Sequence, residues 1–178
     1  MAQQRQFLSH GFGPFYDADS RILILGSFPS VKSREQSFFY GHPRNHFWPV
    51  LAAVLGDETP MTTEEKRAFL RRHGIALYDV IESCSIVGSA DSSIQDVSPA
   101  DLRPILSGSR VGTRIFTNGG KAAALYRRYL FPLLGIPAVS LPSTSPANAA
   151  ASLPRLTEAW REALAPAISE TTLERRCE

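Results

Sequence analysis

The stretch Arg21-Ile22-Leu23-Ile24-Leu25-Gly26-Ser27-Phe28-Pro29-Ser30 decides the fold. Its first half is a short, unbroken apolar run, closed by Gly, Ser and Pro. A strand with one wet face alternates apolar and polar residues, so an unbroken run marks a strand covered on both faces, as in parallel sheets. Weaker runs of the same kind occur at residues 76–81, 114–117 and 138–141. Four buried strands are therefore expected.

Working outward, the segments between these runs carry helical period. Residues 47–55 are compact and apolar. Thr62 and Glu65 have capping-box spacing ahead of residues 66–73, and Gly74 stops that helix. Ser98-Pro99 reads as an N-cap and first position, opening a helix through Leu106. Ala122, Leu125, Tyr126, Tyr129, Leu130 and Leu133 form one apolar stripe, and Leu153, Leu156, Trp160, Ala163 and Leu164 form another. Strands alternating with helices imply right-handed βαβ units. The expected fold is a three-layer α/β/α sandwich around a mainly parallel four-stranded sheet, in one domain with its core at about residues 15–165 and a C-terminal tail at 167–178.

Composition bounds the rest. The chain has 178 residues, 43% hydrophobic and 20% charged, enough for one sizeable core. A formal charge of +2 means that nucleic-acid contact must come from a local patch. The two cysteines, Cys84 and Cys177, lie far apart and read as reduced thiols. The four histidines, His10, His42, His46 and His73, show no metal-ligand spacing with them, so no zinc and no iron–sulfur cluster is expected. No apolar run reaches the ~20 residues that span a bilayer, and the polar start lacks a signal peptide's apolar stretch, so a cytoplasmic monomer is expected.

In parallel sheets ligands bind beyond the carboxyl ends of the strands. Here those ends are Gly26 to Ser30, the loop after Ile81, Asn118-Gly119-Gly120-Lys121, and Ser143-Thr144-Ser145-Pro146-Ala147-Asn148. The first offers backbone N–H groups at close range, or is simply a tight turn. The third puts amides and a lysine at a helix start without P-loop spacing. The fourth has hydroxyls and an amide that either cap the last helix or grip phosphates. A fifth stretch, Phe38-Phe39-Tyr40-Gly41-His42-Pro43-Arg44-Asn45-His46-Phe47-Trp48, packs five aromatics, two histidines and an Asn around Gly and Pro. Phe47 and Trp48 read as the core face of a helix. Tyr40 and Asn45 precede it and read as functional: aromatic faces stack on bases, and an Asn both donates and accepts hydrogen bonds.

Taken together, these motifs resemble those of the uracil-DNA glycosylase superfamily, across roughly residues 15–165. The likeness is greatest to its hypoxanthine (deoxyinosine) branch, with the mismatch-specific uracil/thymine enzymes next. Gly26-Ser27-Phe28-Pro29 matches the first motif, Gly-x-Asp/Asn-Pro, in its Gly and Pro. Phe28 stands where the usual catalytic acid or amide would be, which argues against ordinary uracil chemistry. Tyr40, His42, Pro43, Asn45, Phe47 and Trp48 match the aromatic-x-His-Pro-x-Asn-x-Phe-Trp stretch of the mismatch-specific group.

The resemblance implies an enzyme that flips a deaminated base out of double- or single-stranded DNA and hydrolyses its glycosidic bond without a cofactor. Asn45 takes the catalytic role, and Ser27, Phe28, Tyr40, His42 and Asn118 bind the base. Ser30, Lys32, Arg44, Lys121, Ser143, Ser145 and Asn148 hold the DNA. With no acid in the first loop, catalysis is expected to rest on stabilising the leaving base and positioning water rather than on a strong general base. The competing expectation is an inactive DNA- or nucleotide-binding domain of the same fold. A hydrolase built on a Ser or Cys nucleophile has no Gly-x-Ser-x-Gly elbow to support it.

Overall fold

The computed structural model describes residues 4–88 and 90–178. Strand β2 (Ile22–Gly26) lies at the centre of a parallel sheet in the order β3-β2-β6-β7, with β3 at Ile75–Asp79, β6 at Ile115–Asn118 and β7 at Val139–Leu141. Every residue of β2 and β3 is buried, as an unbroken apolar run requires. The outer edge of β3 is closed by Phe15 and Leu77, which exchange two backbone hydrogen bonds of 2.9 Å. That contact removes an edge on which another chain could pair.

Helices α1 (Val31–Gln36), α2 (Phe47–Leu55) and α3 (Thr63–His73) connect β2 to β3. The capping box forms: Glu65 N donates to Thr62 Oγ1 at 3.1 Å, and Thr62 N donates to the Glu65 carboxylate at 3.1 Å. Gly74 ends α3 at φ 66°. The last helix, α7 (Leu153–Arg176), packs on α2, and its fully buried Trp160 meets Phe47 edge-on with ring centroids 5.8 Å apart.

The structure corrects three expectations. The run at residues 76–81 is two strands. At Val80 the chain leaves the parallel sheet and continues as β4 (Ile81–Val87) in an antiparallel sheet of order β1-β4-β5, with β1 at Arg5–Ser9 and β5 at Gln95–Pro99. The hand-over is fixed by Val80 N and Ile81 N, which donate to the carbonyls of Gly26 and Ser27 at 2.8 and 3.1 Å. Ser98-Pro99 therefore ends β5 rather than starting a helix. Helix α4 (Arg103–Ser107) starts later, where Asp101 Oδ1 accepts from Arg103 N at 3.0 Å.

The third correction is the tail, since residues 167–176 continue α7. Ion pairs hold its end. Arg21, 3% exposed, binds Glu174 and Glu178, and Arg114 also binds Glu174. The stripe at residues 122–133 is helical throughout but not uniform: α5 (Gly120–Leu125) widens to a π-turn at Tyr126–Leu130 before α6 (Phe131–Leu134). Pro132 cannot donate to the Arg128 carbonyl, which accounts for the irregular ladder. Among the described residues, no helix is long and apolar enough to cross a membrane.

Candidate active site

β2 is flanked by β3 on one side and β6 on the other, so the chain's direction of travel across the sheet reverses at β2. Such a switch point opens a crevice at the carboxyl ends of the strands. Here the crevice is a cavity of about 480 Å³, within the range of small-molecule sites. It is lined by the loop at 26–30, Tyr40, Asn45, Asp79, Asp91, Asn118 and residues 143–145, among others.

Asn45 lies two residues before α2, and its environment fixes the direction of its amide. Oδ1 accepts from Phe47 N at 2.9 Å and from Thr144 Oγ1 at 2.8 Å. Both lone pairs of that oxygen are thus occupied, and Nδ2 is the group left for a ligand. Asn118 braces the same bridge: its Nδ2 donates to Thr144 Oγ1 at 2.9 Å, and its Oδ1 accepts from Thr144 N at 3.1 Å. Thr144, 1% exposed, therefore joins the two amides. Thr144→Val keeps the shape but removes the acceptor of Asn118 Nδ2 and one of the two donors to Asn45 Oδ1. We expect it to cost about 1–3 kcal/mol in urea unfolding, with Thr144→Ser costing less because the hydroxyl survives.

Tyr40 stacks one face on Phe47, centroids 3.8 Å apart and planes within 13°. Its backbone is left-handed, φ 53°, a conformation that costs a non-glycine residue about 1–3 kcal/mol and that surrounding structure must hold. One such hold is Gly41 N, which donates to Ser33 Oγ at 3.0 Å. The Tyr40 hydroxyl is enclosed without a hydrogen-bond partner. Burial, reinforced by the charge of Asp79 and opposed by Asn118, pushes its pKa upward, so it stays protonated.

In the first loop, the amides of Ser27 and Phe28 have no protein acceptor among the described residues. Phe28 is 9% exposed and borders the cavity. The acids that sequence reasoning found missing from this loop arrive from elsewhere. Asp79 ends β3 in the cavity wall. Asp91 stands on the turn Asp91–Ser93 and accepts from Ser27 Oγ at 3.0 Å. Desolvation of its carboxylate, with a smaller contribution from the charge of Asp79, raises the pKa of Asp91, while the Ser27 hydrogen bond and Lys121 act the other way. An acid closing an otherwise apolar strand was the available signal for Asp79. Asp91 gave none within its polar loop.

Other expected site residues lie apart. His42 is outside the cavity wall, and its Nδ1 accepts from Arg44 N at 3.1 Å. Lys32 is exposed and paired with Glu35 at 3.0 Å, and Arg44 and Lys121 are also exposed. Ser30 caps α1 and reaches the cavity, as do Ser143 and Ser145, and Asn148 Nδ2 ties this last loop together by donating to Ser143 O at 2.9 Å. Cys84 is fully buried, and burial pushes its thiol pKa up, away from a nucleophile's state. No group of three or more His, Cys, Asp or Glu among the described residues could hold a metal ion.

The site thus offers a stacking face, N–H donors and two carboxylates around a space suited to a flat polar heterocycle. Comparison with known proteins agrees. The uracil DNA glycosylase superfamily matches over residues 14–165. A hypoxanthine DNA glycosylase of Methanosarcina barkeri is 32% identical over 154 residues, 86% of this chain and 96% of the relative. A hypoxanthine DNA glycosylase of Methanosarcina acetivorans is 34% identical over 142 residues, 79% and 89%. A solution NMR structure of a Methanosarcina acetivorans protein named as a candidate uracil DNA glycosylase superposes with a TM-score of 0.70 at 31% identity, covering 88% of this chain and 98% of that one. The chain belongs to the uracil DNA glycosylase superfamily and is a hydrolytic DNA glycosylase.

Proposed function

We propose that this enzyme releases hypoxanthine from deoxyinosine in DNA, leaving an abasic site. The observation that carries the reading is the direction of the Asn45 amide. With Oδ1 occupied by Phe47 N and Thr144 Oγ1, Asn45 can only donate toward the cavity, where the unpaired amides of Ser27 and Phe28 also lie. A set of donors is what a leaving base needs. As the bond to C1′ breaks, its electron pair passes to N9 of the base, and hypoxanthine spreads that charge onto N7 and O6, the last an outlet that adenine's amine does not match. The names of the two Methanosarcina relatives support the same base.

In this reading the flipped base stacks on the free face of Tyr40, and the Ser143–Ser145 hydroxyls meet the flanking phosphates. Asp91, held at Ser27, faces the sugar. Its negative charge stabilises the developing oxocarbenium ion and polarises the water that adds to C1′. The acid that the first loop lacks comes in this reading from the turn at 91–93. The enzyme acts as a monofunctional monomer. Water is the nucleophile because Lys32 is paired with Glu35 and Lys121 is not in the cavity wall.

Duplexes containing deoxyinosine or deoxyuridine, incubated under single-turnover conditions with excess enzyme, test this. We expect free hypoxanthine and strands that break only after alkali, with no borohydride-trapped adduct. Binding of the lesion duplex without base release would instead establish an inactive binding domain.

A further inference from the structure

The turn that carries Asp91 to the cavity is held from behind by a residue with no part in the chemistry above. Asp91–Ser93 lies between β4 and β5, and Arg5 belongs to β1, on the far side of β4. Arg5 stands opposite Val87, the last residue of β4, and its guanidinium reaches across that strand. Nη1 donates to Ser93 O at 2.6 Å and, more weakly, to Ser85 O at 3.4 Å. A hydrogen bond from a charged donor is of the shorter and stronger kind.

Ser93 passes this hold into the turn. Its Oγ accepts from Val87 N at 2.8 Å and donates to Ala90 O at 2.7 Å, and its own N–H donates to Ala90 O at 2.8 Å. Ile94 N closes the turn by donating to Asp91 O at 3.3 Å. Asp91 is thus secured twice, its carboxylate by Ser27 Oγ at 3.0 Å and its backbone by the strap from Arg5 through Ser93.

The strap matters because packing does little here. Asp91 and Ser92 are exposed, and Ser93 is only half-buried. A surface turn of this kind sits at the low-stability end of a fold unless hydrogen bonds hold it. Ala90, Asp91 and Ser92 border the cavity, whereas Arg5 does not, so an effect of Arg5 on the reaction must pass through the turn. We infer that Arg5 is a positioning residue: by clasping Ser93 O it keeps the Asp91 carboxylate at the place where the sugar develops positive charge. The inference rests on the role proposed for Asp91. The antiparallel sheet then serves as the frame of the acid, as the parallel sheet serves the amide donors.

Single-turnover release of hypoxanthine from a deoxyinosine duplex, measured over a range of enzyme concentrations, separates the maximal rate from the half-saturating concentration. Arg5→Met keeps the length of the side chain and loses its donors. We expect its maximal rate to fall by about tenfold to a hundredfold, the effect of displacing a reacting group by about 1 Å, with the half-saturating concentration unchanged. Arg5→Lys, which can still send one N–H to Ser93 O, should recover much of the rate. In an Asp91→Asn enzyme, already slow, Arg5→Met should cost nothing further, because two residues that act through one group are not additive.

An equal loss from Arg5→Met in both backgrounds overturns the inference, and so does a raised half-saturating concentration at wild-type maximal rate, which would make Arg5 a phosphate contact. Should Arg5→Met not fold, Arg5→Gln, whose side chain is shorter, goes through the same cycle. An Asp91→Asn enzyme with the wild-type rate would sink the role of Asp91 itself. A slow Asp91→Asn enzyme beside a fully active Arg5→Met enzyme would sink only the role of Arg5.

Discussion

Asn45→Ala should lower the single-turnover rate of hypoxanthine release by about 10²–10³-fold, the cost of removing one well-placed donor to a developing anion. Affinity for a duplex with an abasic site should change little, because that product lacks the base. Folding should lose about 1 kcal/mol, since the Thr144 hydroxyl and Phe47 N give up an acceptor. Asn45→Asp is the sharper variant. A carboxylate keeps both contacts at Oδ1 but replaces the donor with negative charge facing a base that is becoming negative, so it should be no better than alanine. If Asn45→Asp retained the wild-type rate, Asn45 would be acting as an acceptor toward water, and the assignment of its amide would be wrong.

Gly26→Ala should abolish most activity and destabilise the fold together. The added Cβ would stand 2.3 Å from Asp79 Oδ1 and 3.3 Å from the Tyr40 hydroxyl, at the floor of the cavity. Asp79 cannot swing aside freely, because His10 holds its other oxygen at 2.7 Å. Overpacking of this kind typically costs about 1–3 kcal/mol. The catalytic loss should be at least as large as that of Asn45→Ala, because the methyl displaces the flipped base as well as the acid. Thermal denaturation alongside single-turnover cleavage checks both. A stable, fully active Gly26→Ala enzyme would mean that the base does not reach this floor.

Much of the parallel sheet was legible because burial leaves a local mark: β2 and β6 each appear as an apolar run, and the Thr62–Glu65 box announced α3, whereas β7, at the sheet edge with Val139 and Ser140 exposed, is not the buried strand that its run implied. The change of sheet at Val80 left no mark, because residues on either side of it are equally buried. Only the carbonyls of Gly26 and Ser27, more than fifty residues away in sequence, stop the ladder there. Ser98-Pro99 misled for a related reason: its pairing with β4 is long-range, and Ser-Pro suits a strand end as well as a helix start. The length of α7 depends on distant arginines, Arg21 and Arg114, that anchor residues otherwise reading as a tail.

Within the site, Tyr40 and Asn45 stood out by composition, as aromatic and amide residues around Gly and Pro. Asp79 showed only as an acid closing an apolar run, and Thr144 was one hydroxyl among several. Their roles depend on what lies opposite them, which no local pattern records.

The Thr144 bridge also bears on how the enzyme's variants should be interpreted. The segment proposed to meet DNA is joined to the Asn45 turn twice, through Thr144 Oγ1 and through His46 N, which donates to Thr144 O at 3.0 Å; behind it, Trp160 Nε1 anchors Pro142 O at 2.9 Å. Grip and chemistry therefore share one lever. A substitution made to alter affinity for the sugar-phosphate chain also re-aims the amide at the base, and its effect surfaces as a slower chemical step. Conversely, a lone nucleoside, with no flanking phosphates to set the lever, meets the same side chains in a less well-aimed state.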